Sequence, residues 1–277
     1  MKTKLLAAVS MMLTATPALA QEETKPFTVS GSVALVTDYR FRGVSQSDEK
    51  MAIQGGITVT HESGLYAGTW ASNLAGWGTF GGSNTELDLI AGYKLPVYEG
   101  ITVDVGATWY MYPGGANTTD FIEPYVKLGG TVGPASATVG VAYAPKQRAL
   151  GRYYFDGAAA AAGIYDAPGA KNDNLYIWGD LGAAVPNTPV SVKTHLGYSK
   201  GNGGLGPNGT SVAPTGKYWD WLIGADVAVG PVVLGVAYVG TDISNRERQY
   251  LLPAFGNSKD GTMISSGRIV GSLSASF

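Results

Sequence analysis

The side chains able to do chemistry in this chain are Asp38, Arg40, Glu86, Asp88, Lys94, Asp104, Glu123, Lys127, Asp180, Lys193, His195, Asp220, Asp226 and Arg268. Most are flanked on both sides by apolar residues, as in Leu87-Asp88-Leu89, Val103-Asp104-Val105 and Val126-Lys127-Leu128. Side chains alternate across a strand, so this spacing gathers charge on one face and hydrocarbon on the other. Facing a wet interior, such charges would either touch hydrated solutes or pair across strands. Arg40, with Arg42 close by, would attract anions or pair with Asp38. Acids outnumber bases in the set, which would tilt solute contact towards cations.

Other chemistries fail on spacing. His195 and His61 are too far apart in sequence to be joined into a metal site. No serine stands in a nucleophile-elbow context with a base and an orienting residue, so no enzyme is expected. Gly201-Asn202-Gly203-Gly204-Leu205-Gly206 matches a dinucleotide-binding pattern, but Pro207-Asn208-Gly209 follows it where a helix is required. No cofactor is implied.

The elements that must position the charged face are strands. From Phe27 onward one parity carries Val29, Val33 and Leu35, and the other Ser30, Ser32 and Asp38, which predicts a first strand through Arg40. The rhythm recurs about twelve times, although Tyr66 and Trp70 compete with Leu65 and Ala67 for the apolar face of the third strand, and Pro124 weakens the sixth. Successive connections alternate between short turns and longer segments. The longest irregular stretch, 145–172, is expected to be an outside cap or a mobile loop; folded inward, it would narrow the interior.

Bulk composition names the solvent of the apolar face. Charged residues make up 14% of the 277, against about 25% in soluble globular proteins. No apolar run outside the first twenty residues approaches the roughly 18 needed for a membrane helix. Lys2, Lys4, the apolar run Leu5 to Leu13 and Ala18-Leu19-Ala20 form a secretory signal over residues 1–20. Its removal leaves 17 basic and 21 acidic side chains, a net charge of −4 that argues against nucleic acid as a partner. There is no cysteine, so the exported chain folds without disulfides.

These features predict an all-β chain in which residues 21–277 form a single antiparallel transmembrane β-barrel of about twelve strands. Both termini would lie in the periplasm, with the long connections outside. Aromatics on the apolar parity then gather at the lipid interfaces: Phe27, Tyr93 and Phe277 at the periplasmic end, and Tyr39, Trp109, Tyr143, Tyr198, Trp219 and Tyr238 at the outer end. A non-conducting barrel serving as an anchor or adhesin, and a soluble periplasmic β-sandwich, are the alternatives; low charge and the aromatic girdles disfavour the sandwich.

Two resemblances sharpen the reading. Residues 265–277, ending on Phe277, resemble the terminal strand of bacterial outer-membrane barrels, which implies outer-membrane lipid and the barrel assembly machinery as partners. The stretch Thr37-Asp38-Tyr39-Arg40-Phe41-Arg42-Gly43-Val44-Ser45-Gln46-Ser47, with Ile53-Gln54-Gly55-Gly56 and His61-Glu62-Ser63-Gly64-Leu65-Tyr66-Ala67-Gly68-Thr69-Trp70, resembles the TorF-type porins of Gram-negative bacteria. That resemblance implies an outer-membrane barrel for passive transport of small hydrophilic solutes or ions.

Overall fold

The computed structural model describes residues 26–277. The export signal expected over residues 1–20 lies outside the described residues. In chain order the strands are β1 (Phe27–Val36), β2 (Arg40–Phe41), β3 (Val44–Ser45), β4 (Ala52–His61), β5 (Leu65–Asn73), β6 (Thr85–Tyr98), β7 (Ile101–Met111), β8 (Phe121–Val132), β9 (Ala135–Gln147), β10 (Asn172–Ala184), β11 (Val190–Lys200), β12 (Lys217–Val229), β13 (Val232–Thr241) and β14 (Arg268–Ser276). All except β2 and β3 join one closed antiparallel barrel of twelve strands. Closure comes from β1 against β14, with Val33 opposite Ala275 and Leu35 opposite Leu273. It satisfies the backbone groups that an open sheet edge would leave unpaired.

The parity pattern sets the two surfaces. Val33, Leu89, Val105 and Leu273 are exposed on the outside, whereas Glu86, Asp88, Asp104 and Asp220 are buried inside. On β5, Leu65 and Ala67 point out and Tyr66 points in. Pro124 is tolerated in β8 because the ladder to β9 begins one residue later, at Tyr125 opposite Ala142. On that side the Gln147 side chain bonds both backbone groups of Ile122, at 2.8 Å each. Strand β6 runs past Pro96 to Tyr98, absorbing the proline at a register irregularity.

Short turns join β4–β5, β6–β7, β8–β9, β10–β11 and β12–β13 at one end, which also holds both ends of the barrel sequence. There Phe277 exchanges backbone hydrogen bonds with Gly31, at 2.9 and 3.0 Å. Its ring lies where any side chain at Gly31 would stand. The long connections crowd the opposite end, and that is where the hydrophobic core lies. Phe80, Leu150 and Val212, from three connections, pack with the wall residues Phe121 and Ala144. A second cluster joins Val44, Trp77, Tyr153, Tyr154, Leu205, Leu251, Phe255 and Ile264. Fully buried members such as Phe255, Leu205, Leu251 and Ile264 each contribute roughly 2 kcal/mol, so the connections form an ordered plug. Segment 145–172 belongs to it as a packed cap, through Leu150 in one cluster and Tyr153 and Tyr154 in the other.

Candidate functional site

Beneath the plug, the inward side chains form charge clusters at two levels, and a hairpin of the plug adds a third network. Nearest the short turns, Lys127 Nζ lies 3.1 Å from Asp104, and Lys94 faces Asp104 across the β6–β7 ladder. Tyr66 donates to Asp104 at 2.7 Å and makes a short hydrogen bond to Tyr125. On the far wall Lys193 Nζ donates to Asp226 at 2.7 Å. Higher up, His195 sits between two carboxylates, with Nδ1 2.6 Å from Asp180 and Nε2 3.1 Å from Asp220. The Tyr176 hydroxyl lies 2.8 Å from His195 Nε2 and donates to Asp220, while Trp178 Nε1 donates to Asp180 at 3.1 Å. Across the interior, Glu86 accepts from Tyr39 at 3.0 Å, and Asp88 Oδ1 is buried without a partner.

The third network belongs to an in-folded hairpin that sequence parity missed. Strand β1 stops at Val36, and residues 37–51 turn back over the barrel mouth, with β2 and β3 as their own small ladder. Asp38 organises the hairpin by accepting from Arg40 Nε at 2.7 Å and from Ser45 Oγ at 2.6 Å. Arg40 also donates to the Gly43 and Ser266 carbonyls. A left-handed turn, with φ of 48° at Arg42 and 79° at Gly43, aims Arg42 into the barrel. Its Nη2 donates to Glu123 at 2.6 Å, and its guanidinium lies 4.0 Å from the Tyr176 ring centre. Gly43 is required there, since a Cβ would stand 2.5 Å from Thr241 Cγ2 and 2.8 Å from the Gly240 carbonyl oxygen. At the hairpin's outer edge Asp48 accepts from the Ser258 backbone amide at 2.8 Å and from its hydroxyl. Burial alone would raise the Asp48 carboxyl, but the Ser258 hydrogen bonds and Lys50 hold it below its ordinary value.

Three expectations about this region need correction. Arg40 pairs with Asp38, one of its two expected roles, but the pair sits inside the hairpin and does not line the wall, because strand β1 ends at Val36. Tyr39 is not an interfacial aromatic, being buried against Trp70 with its hydroxyl on Glu86. Arg268 leaves the interior for the rim, where it is exposed and paired with Glu49 of the hairpin.

The structure places Glu86, Asp88, Asp104, Glu123, Asp180, Asp220 and Asp226 inside and buried, with Lys94, Lys127, Lys193 and His195 half-buried beside them. Among the aromatics, Phe27, Tyr93 and Phe277 are exposed at the short-turn end, and Trp109, Tyr143, Trp219 and Tyr238 at the plug end; Tyr198 is half-buried against Trp219. Tyr125, Tyr176 and Trp178 lie inside, on the polar parity they share with Glu123, Lys127 and Asp180, although none was named as a lining residue; Tyr66, whose facing the sequence left open, joins them. Parity was the signal available for the first three: each shares its face with a charged residue at an even spacing.

Apolar without, charged within and sealed edge to edge, the molecule is a closed antiparallel barrel with an ion-paired interior and a folded plug. The chain belongs to a family described as a bacterial protein of unknown function (Gcw_chp), whose model matches residues 20–277. Similar solved structures include a porin (10% identity, 91% of this chain and 100% of that one, TM-score 0.39). Others are the outer-membrane channel DcaP of Acinetobacter baumannii (10%, 91% and 97%, TM-score 0.42) and a Pseudomonas aeruginosa FadL homologue (11%, 91% and 90%, TM-score 0.43). No curated protein matches the chain.

Proposed function

We propose that this chain is an outer-membrane barrel of the TorF porin type, passing small hydrophilic solutes or ions passively, with both termini in the periplasm and the plug outside. One observation carries the reading: around a closed cylinder, every strand turns apolar side chains outward while the charged ones meet inside. The outer face matches hydrocarbon, and the inner one substitutes for the hydration that a solute gives up. Acids outnumber bases within, which supports a preference for cations. Lipid at the aromatic girdles and the assembly machinery at the Phe277 strand are the partners that follow.

The plug gives a second reading some support. Packed hydrophobic clusters across the mouth suit a barrel that stays shut and presents an ordered outer surface. Planar-bilayer recording of the refolded protein in asymmetric salt separates the two. Passage predicts small conductance steps and a reversal potential on the cation side. Silence across voltage, also after the plug is loosened by Asp48→Ala, would reject it in favour of the closed barrel.

A further inference from the structure

Arg42 makes contacts of the kind a bound solute would make. It arrives on a connection, not from the wall, and almost every group that receives it belongs to the barrel. Glu123 of β8 accepts from Nη2 at 2.6 Å. Tyr176 of β10 offers its ring face at 4.0 Å. With the Asn174 amide turned so that its oxygen faces the guanidinium, Nη1 donates to it at 2.7 Å, and the amide nitrogen donates to the Lys200 carbonyl at 3.3 Å. Carboxylate, aromatic face and amide oxygen are together a recognition set for a planar cation. The receiving groups are deeply buried: Glu123 is 3% exposed, Asn174 2% and Tyr176 7%. Glu123 Oε1 is buried with no partner of its own, so the set retains accepting capacity that Arg42 does not use. Asp220, 2% exposed, stands behind Tyr176 and accepts from its hydroxyl at 3.1 Å.

We infer that Glu123, Asn174 and Tyr176 form a binding site for organic cations of the guanidinium class, and that Arg42 occupies it as a tethered stand-in for the solute. This rests on the porin-like reading only for its biological use; the binding itself does not. Arg42 is held by a connection of the plug and not by the sheet, so opening of the hairpin withdraws it while the barrel stays closed. A lone ammonium would satisfy Glu123, but would use neither the amide oxygen and the carboxylate together nor the flat face of the ring.

The test empties the site and offers the free cation back. Arg42→Ala, purified as the folded barrel in detergent, is titrated with guanidinium chloride in the low millimolar range, where it does not denature, with sodium chloride and urea as controls. Guanidinium is expected to raise the melting temperature of Arg42→Ala by about 3 °C at ten times its dissociation constant, and to leave the wild type and Arg42→Ala/Glu123→Gln unmoved. Equal shifts in all three proteins, or none in Arg42→Ala, would overturn the site. Arg42→Gln, which keeps most of the stem, is the second variant, and the same selective shift is expected of it. Should both variants refold only with millimolar guanidinium present, that supports the site; failure to refold with it present overturns it. The readout needs no conductance, so a silent barrel that binds guanidinium would sink the transport reading alone.

Discussion

Gly43→Ala tests whether the hairpin really folds into the barrel mouth. Two costs add at this position. A left-handed φ of 79° costs a non-glycine residue about 1–2 kcal/mol. The new methyl would stand 2.5 Å from Thr241 Cγ2 and 2.8 Å from the Gly240 carbonyl oxygen; relieving such an overlap costs about 1–3 kcal/mol. Together they destabilise the docked hairpin by roughly 2–5 kcal/mol. Because the hairpin can open without the barrel unfolding, limited tryptic cleavage after Arg40, Arg42 or Lys50 under native conditions is the assay. When reclosing outpaces cleavage, the rate follows the open population and rises about 30- to 5,000-fold. Gly230→Ala is the control: its φ is 59°, with nothing within 4 Å of the added carbon. It sits in the turn between β12 and β13, at the other end of the barrel, so it bears the backbone cost without touching the hairpin. Equal hairpin cleavage in Gly43→Ala, Gly230→Ala and the wild type would refute the docked geometry.

Other outcomes follow from the same structure. Val105→Arg, on the outer face, should cost about 2–4 kcal/mol in lipid, measured by urea titration of the folded barrel in vesicles, whereas Ser274→Arg on the inner parity should cost less; the reverse order would mean the faces are misassigned. The Asp48 clasp is pH-dependent with a definite sign. Its folded carboxyl lies below the ordinary value, so its stabilisation is present above about pH 4, the unfolded value, and is lost as pH falls through the folded one. Tryptic protection of the plug is unsuitable at that pH, so pepsin cleavage should accelerate on acidification in the wild type and be less pH-dependent in Asp48→Asn. Deleting Phe277 removes both hydrogen bonds to Gly31 and the ring above it; folded, heat-modifiable protein in outer-membrane fractions should fall several-fold, and an unchanged yield would remove the terminal residue from the assembly argument.

The barrel was legible in the sequence because its two solvents are sorted at a period of two. Leu87-Asp88-Leu89 and Val103-Asp104-Val105 need no tertiary information to fix which side chains face alike, and the alternation of short and long connections orders the strands into hairpins. Where that rule was extended past Val36 it failed. Asp38, Tyr39 and Arg40 keep the parity of β1 on paper, but their backbone has left the sheet, and Asp38 binds Arg40 and Ser45 within the hairpin. Arg268 failed at the rim for a related reason: beyond the last inward neighbours a long side chain is free to reach Glu49.

Fold class, strand rhythm and the side of most wall residues were therefore settled by the chain itself, since alternation is a local property of extended backbone; on β5, where Tyr66 and Leu65 compete, the structure decided. Apart from local pairs such as Asp38 with Arg40, which charge meets which was decided by closure of the cylinder and docking of the plug. The pairing of Arg42 with Glu123 spans 81 positions, and Asp48 with Ser258 spans 210. No local pattern encodes a contact between segments so remote; it exists only once β1 has met β14 and the connections share one core.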